Sequence, residues 1–383
     1  MGKVFFSYNN IISSLGFDSK TVVDKIHHGV SGLKQIQDNA IFPTPFYSSL
    51  INPTDLDAAF SLATQKKGYT KLEKMMITSL HDTIGQSGID VHHNKVGLII
   101  STTKGNIDAL DQNNPFLETR SYLHELGRVI KTHFGFKNDA IVVSNACVSG
   151  ILAIAIAKRY ILQNVYDHVF VVGGDLVTEF ILSGFNSFQA LSEVPCKPYD
   201  KDRAGINIGE TAASALITKD HTALAKEATE ILGEASCNDA NHISGPSRTG
   251  EGLYRSIQSA MTQANVSHQD IDYISAHGTA TMYNDEMEAI AFNRHHLENV
   301  PVNSLKGYFG HTLGTSGLIE TIIGTHSLCN NTLYPSLGFN ALGVSKPINV
   351  ITQTTKKPLN TFLKTASGFG GCNTAVIFKK INH

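Results

Sequence analysis

Short apolar runs alternate with stretches of helical spacing along most of the chain. Val4-Phe5-Phe6, Val96 to Ser101, Ala140 to Val143, His168 to Gly174, Thr211 to Thr218, Ala228 to Ser236, Ile271 to Ala276 and Pro301 to Ser304 have strand length and strand composition. Between them, Asp18 to His27, Tyr69 to Ile84, Phe116 to Phe134, Gly250 to Ala264 and Asn284 to His295 read as helices. In Tyr69 to Ile84 the apolar positions are Leu72, Met75, Met76 and Leu80, one face of a helix. A polar turn is expected after Phe6. Residues 38–68, with Pro43, Pro45 and Pro53, read as an irregular surface excursion, and Leu191 to Arg203 as a polar loop. Thr361 to Ser367 and Asn373 to Lys379 read as a hairpin about Gly368-Phe369-Gly370-Gly371.

Two helical stretches are apolar nearly all round, Ile151 to Arg159 and Gly317 to Leu328. A helix of that kind must be buried on every side. Each follows a strand and a junction of small residues, and the whole pattern starts over near residue 225. The reading is therefore an α/β protein of two similar halves, residues 1–225 and 226–383, packed as a layered αβαβα core with parallel sheet. No linker, low-complexity tract or short-period repeat separates them.

Composition narrows the function. Of 383 residues 42% are hydrophobic and 17% charged, as in an ordinary globular protein. A net charge of −2 gives no electrostatic ground for binding nucleic acid or an anionic membrane. No apolar run approaches the roughly 18 residues of a membrane span. The five cysteines are odd in number, far apart and without a Cys-x-x-Cys, which suits a reducing compartment. The start of the chain turns polar too soon for a signal-peptide core, so a cytoplasmic protein is expected.

The candidate chemistry centres on Asn145-Ala146-Cys147-Val148-Ser149-Gly150, where a strand meets a helix with a thiol at the corner. Unpaired N–H groups and the dipole of a helix start favour a thiolate. That effect is worth about 0.3–1 kcal/mol, or up to about 2 when partly buried, so the helix assists this cysteine without fully activating it. Taken alone, Cys147 is equally well read as a small hydrophobe filling a corner. Its partners must come from elsewhere. His277, in Ile274-Ser275-Ala276-His277-Gly278-Thr279-Ala280-Thr281, and His311, in Asn303 to Gly314, each follow a strand end within small residues. A nucleophile and bases distant in sequence but close in space is how cysteine catalysts are built. The pairs His27-His28, His92-His93 and His295-His296 are left as surface residues, because adjacent histidines point apart and no ligand stands at metal spacing.

Taken together, Asn145 to Gly150, His277 to Thr281, Lys306 to His311 and Gly368 to Gly371 resemble the β-ketoacyl-[acyl-carrier-protein] synthases, in the elongating branch of that thiolase-fold family. The resemblance extends through Gly173-Gly174, Ala190-Leu191-Ser192 and Gly205 to Glu210. It implies decarboxylative Claisen condensation of an acyl chain, held on Cys147 as a thioester, with malonyl carrier protein. It implies that His277 and His311 contact the malonyl thioester carbonyl, and that Lys306 and Glu320 order the site. Backbone N–H groups of Cys147 and Phe369 would form an oxyanion hole, the Phe369 ring would gate the acyl entrance, and Thr279 and Thr281 would bind the pantetheine arm. No cofactor or metal is implied. The substrates ride on the phosphopantetheine of an acyl carrier protein, and the chain would work as a homodimer or as a heterodimer with a ketosynthase-like subunit.

Three departures concern acyl choice and leave the chemistry intact. Ser367 stands where relatives often carry an aromatic residue, Ala204 follows Arg203 in place of aspartate, and the 192–198 loop is short. These features are similar to those of the short synthases of aryl-polyene and flexirubin-type pigment clusters. Two alternatives are a thiolase, for which Cys372 would be the second cysteine, and a chain-length-factor-like subunit, which would lack the nucleophile that is present here.

Overall fold

A computed structural model of the chain describes residues 2–239 and 245–381. Its central sheet has eleven strands. In chain order they are β1 (Phe5–Ile12), β2 (Val96–Ser101), β3 (Ile141–Val143), β4 (His168–Asp175), β5 (Thr211–Thr218), β6 (Thr229–Asn238), β7 (Tyr273–Ser275), β8 (Pro301–Asn303), β9 (Asn349–Val350), β10 (Thr361–Gly368) and β11 (Cys372–Lys380). Across the sheet the order is β9-β8-β7-β10-β11-β6-β1-β5-β4-β2-β3. β3, β2 and β4 run parallel, then β5 and β1 antiparallel. β8, β7 and β10 likewise run parallel, then β11 and β6 antiparallel. The second half thus repeats the strand order of the first, with β9 added at its edge. The halves join where Phe5 and Phe6 pair with Glu230 and Thr229, so the two expected sheets are one continuous hydrogen-bonded sheet.

The helices that matter for the site are α1 (Lys71–Ser87), α2 (Ser149–Leu162), α3 (Glu179–Ser187), α4 (Glu251–Ala264), α5 (Met282–Arg294) and α6 (Ser316–Asn330). The two all-apolar helices, α2 and α6, form the middle layer. Ile151 and Ile154 of α2 and Leu318, Ile319 and Ile322 of α6 share one core with Val169 and Val171 of β4, Ala213 of β5, Phe362 of β10 and Val376 of β11. Each of the Ile, Leu, Val and Phe side chains contributes about 1.5–3 kcal/mol on full burial. Met75 and Met76 of α1 cover Ile100 and Phe170 on one outer face. Leu253 of α4 and Phe292 of α5 cover Ile274 and Leu363 on the other. The layers therefore run α, β, α, β, α.

Glycine lets the central helices touch. A Cβ on Gly150 would lie 2.8 Å from the Gly314 carbonyl oxygen, and one on Gly317 would lie 2.6 Å from the Ile151 nitrogen.

Several local expectations need correction. β1 continues through the polar Ser7-Tyr8-Asn9-Asn10 in place of a turn. Its polar side chains find partners in other elements: Asn10 Nδ2 donates to Asp82 at 2.7 Å, Asn9 Oδ1 accepts from Ser19 at 2.7 Å and Ser7 Oγ accepts from the Ala225 amide at 2.9 Å. Residues 38–68 are not all irregular: Phe46–Ser49 is a strand and Pro53–Ala63 a helix. Pro53 opens that helix, where its missing N–H costs nothing, and Asn52 caps it. The Phe116 to Phe134 segment divides into a 3₁₀ turn, Glu118–Ser121, and a helix, Leu123–Phe134. His295 is not a surface residue. It is buried against Tyr254, with ring centroids 4.3 Å apart.

Candidate active site

Cys147 sits between β3 and α2 on a bend with Ala146 at φ 45°, a left-handed conformation that L-residues hold only when the surroundings enforce it. Ser149 Oγ does the enforcing. It accepts from the Asn145 amide at 2.8 Å and donates to the Ala146 carbonyl at 2.7 Å. The β10–β11 turn lies against this corner, since a Cβ on Gly368 would fall 3.1 Å from both Ala146 Cβ and the Cys147 nitrogen. Phe369 follows in that turn, 39% exposed. Its ring packs on Phe185 and Phe188, with centroids 5.6 and 5.4 Å away.

The first half supplies the thiol, and the second half brings both histidines to it. His311 Nε2 lies 2.9 Å from Cys147 Sγ. Its other nitrogen, Nδ1, lies 2.9 Å from Ser316 Oγ, at the first turn of α6. The His277 ring meets the His311 ring edge-on, with centroids 5.2 Å apart. His277 follows β7 on a turn whose amides are held by one carboxylate. The His277 and Gly278 N–H groups donate to Glu288 Oε1 and Oε2 at 2.8 and 2.7 Å. His277 Nδ1 is buried with no partner among the described residues, so the ring is free to meet a substrate.

Behind the imidazoles, Lys306 forms a buried ion pair with Glu320. Burial and the Lys306 charge hold both histidines well below the usual imidazole range, so both are neutral. Thr279 and Thr281 lie beside the site with their hydroxyls 2.9 Å apart. Cys147, His277, His311, Thr279, Thr281 and Phe369 line one cavity of about 470 Å³. Ala204 and Ser367 line it too.

The thiol itself departs from expectation. Burial pushes its pKa up to about 12. The helix start, worth up to about 2 kcal/mol or some 1.5 pKa units, is outweighed. Cys147 therefore rests as a neutral thiol aimed at His311. Cys372 is buried nearby, its S–H 3.4 Å from the Phe369 carbonyl and its pKa pushed up to about 11. Cys147, His277 and His311 offer ligand atoms all within 4.8 Å of one another, close enough to suggest a soft cation. Two buried ammonium groups, Lys306 and Lys364, stand behind them, and their charge opposes a dication there.

Sequence reasoning passed over Glu288, Asp175 and Lys364. Asp175 ends β4 and accepts from the Gly314 amide at 2.8 Å and the Thr103 hydroxyl at 2.7 Å, bracing the turn before α6. Burial raises its pKa to about 6. A lysine within the apolar run Thr361 to Ser367 was the available signal for Lys364.

The arrangement can hold a thioester on a thiol and present two neutral N–H donors to a second carbonyl. Comparison with known proteins gives the family. The chain matches the family model for the β-ketoacyl synthase N-terminal domain over residues 19–223 and that for the C-terminal domain over residues 228–340. It is 25% identical over 403 aligned positions to 3-oxoacyl-[acyl-carrier-protein] synthase 2 of Coxiella burnetii, covering 97% of both chains. It is 35% identical over 254 positions to the enzyme of the same name from Rhizobium meliloti, covering 62% of this chain and 60% of that one. Among solved structures, the ishigamide ketosynthase/chain length factor superposes with a TM-score of 0.89 at 22% identity, covering 100% of both chains. A ketosynthase in complex with its chain length factor from Xenorhabdus doucetiae gives 0.85 at 23%, covering 99% of this chain and 98% of that one. No helix among the described residues is long and apolar enough to cross a membrane. With both of its halves matched and its cysteine and histidines gathered at one cavity, the chain belongs to the β-ketoacyl synthase family.

Proposed function

We propose that this protein is a 3-oxoacyl-[acyl-carrier-protein] synthase that elongates an acyl chain carried on Cys147. The observation that carries the reading is the Cys147 Sγ to His311 Nε2 contact of 2.9 Å in the lining of a largely apolar cavity. In the first half-reaction Sγ attacks the acyl thioester. The thiol proton passes to His311 in step with the attack, because the thiol is not ionised beforehand, and then to the departing pantetheine thiolate. In the second, malonyl carrier protein loses carbon dioxide, and His277 and His311 donate N–H bonds to the enolate oxygen. The enolate carbon attacks the Cys147 thioester, with Cys147 and Phe369 amides at the oxyanion. The freed thiolate takes up one solvent proton. Each preorganised donor of this kind is worth about 2.7–4 kcal/mol.

Ser316 permits both roles of His311. A hydroxyl accepts or donates, so Nδ1 can carry a proton or lack one. Nε2 can then receive the thiol proton in one step and offer N–H in the next. Lys306 and Glu320 order the site, and Thr279 and Thr281 hold the pantetheine arm. No resident cofactor is needed for this chemistry.

For the substrate, the reading is a conjugated polyene or polyketide chain in place of a saturated fatty acyl chain. Ser367 Oγ is turned to Asn373 Oδ1 at 2.7 Å, which leaves room beside Phe369 for a stiff chain. The partners would be an acyl carrier protein and a second subunit, the same chain or a ketosynthase-like one. The fold shared with subunits of ketosynthase and chain length factor assemblies supports the latter, and a soluble cytoplasmic enzyme fits both.

Two measurements test this. Cys147→Ala should abolish acylation by acyl carrier protein while keeping the fold, and normal acylation in intact-mass spectra would refute the nucleophile. Saturated and conjugated primers of equal length, offered together with malonyl carrier protein, should give faster extension of the conjugated one. Equal or faster extension of the saturated chain overturns the substrate reading.

A further inference from the structure

Glu320 lies between two buried ammonium groups. Lys306 pairs with its Oε1, and Lys364 Nζ stands 2.8 Å from its Oε2. Lys364 is fully buried in β10, and its three N–H groups point at backbone. They reach the carbonyls of Ser275 at 3.1 Å, Ala276 at 3.3 Å and Thr365 at 2.6 Å. An ammonium has only three donors, so the attraction to Glu320 is between charges.

Ser275 and Ala276 are the two residues that precede His277. The backbone entering His277 is thus held through its carbonyls by a cation from β10. Glu288 of α5 holds the other side of that same Ala276–His277 peptide through the His277 amide, and the Gly278 amide beyond it. Burying a lysine is costly unless it is paired and hydrogen-bonded, and a long apolar side chain would fill the same space more cheaply. Glu320 already has Lys306. The second cation is therefore not needed to neutralise that carboxylate, and its contacts lead to the His277 turn.

We propose that Lys364 is a positioning residue for decarboxylation, fixing the Ser275–Ala276 backbone so that His277 faces the malonyl carbonyl. The inference rests on the reading of His277 as a donor to that carbonyl. The charged and titratable groups around His277 are Glu288 from α5, Lys306 and His311 from the loop after β8, Glu320 from α6, Cys147 before α2 and Lys364 itself. Lys306, His311 and Lys364 all oppose protonation of His277. Removing the Lys364 charge should therefore raise the pH at which His277 takes up a proton.

The test compares Lys364→Met, Lys364→Arg and His277→Ala in carbon dioxide release from malonyl carrier protein. Acylation of Cys147, followed by intact mass, reports that the site is folded. Lys364→Met should acylate, yet lose decarboxylation kcat by up to about 10²-fold with KM little changed. The acid limb of its pH profile should move to higher pH, and Lys364→Arg should recover part of the rate. A Lys364→Met enzyme with wild-type kcat and pH profile, beside an inactive His277→Ala, overturns the role of Lys364 alone. Full decarboxylation by His277→Ala overturns the reading of His277 and this inference with it. If both lysine variants fail to fold, the lysine serves the fold and the proposal is wrong.

Discussion

Cys147 and His311 face each other at 2.9 Å while His277 stands one ring farther off, so the two histidines should not respond alike to removal. His311→Ala should slow both acylation and decarboxylation. His277→Ala should spare acylation and lower condensation by about 10²–10³-fold, the usual cost of one oxyanion donor. Single-turnover acylation and carbon dioxide release, measured separately on each variant, check the split. Ser316→Ala leaves His311 Nδ1 without its hydroxyl partner, while Thr312 Oγ1, 3.0 Å from Ser316 Oγ, stays near. Acylation and decarboxylation should both fall, the larger loss being in whichever step needs the less favoured tautomer. A Ser316→Ala enzyme with wild-type rates in both steps would remove the hydroxyl from the mechanism.

Among the elements, α2 and α6 fix the site because each begins at a catalytic corner and the two cross at glycine. Gly317→Ala would put a methyl group 2.6 Å from the Ile151 nitrogen, a backbone atom that cannot turn aside. Overpacking of this kind costs about 1–3 kcal/mol, against a gain of up to about 1 kcal/mol in helix propensity. The melting temperature should fall, and acylation with it. Gly184 in α3 is the control, since a Cβ there meets nothing within 4 Å. Gly184→Ala should hold or raise the melting temperature. Equal melting temperatures for Gly317→Ala and the wild type would show that the helices can part without loss.

At the scale of the whole molecule, β3 is an edge of the sheet, and an edge strand is open to pairing with another chain. The segment between the neighbouring β2 and the helix Leu123–Phe134 exposes Leu110, Leu117 and Tyr122, with Leu117 80% exposed. Exposed large apolar side chains in one segment suit a subunit contact. Leu117→Asp changes no buried contact, so it should leave the monomer folded and shift the sedimenting species toward a single chain. An unchanged sedimentation profile would place the contact elsewhere.

What the amino-acid sequence determined by itself was the alternation of strand and helix, the two all-apolar helices and the four motifs that carry the chemistry. Periodicity and composition are local properties, and a helix without a polar face can only be an inner layer. Cys147, His277 and His311 were legible because each stands at a strand end or tight turn among small residues, whereas Lys306 and Phe369 were singled out only by the family resemblance. The strand through Ser7 to Asn10 was not legible, because the bonds its polar side chains make, to Asp82, Ser19 and Ala225, lie outside the strand's own segment. The helix after Pro53 was hidden because proline marks both loops and helix starts. Only the tertiary structure decided the state of the thiol. The helix start acts locally, but the burial that outweighs it comes from β10–β11 and the opposite half of the chain. The same holds for Lys364. Its place in a strand is written in the sequence, but the carbonyls and the carboxylate that give it a purpose come from β7 and α6.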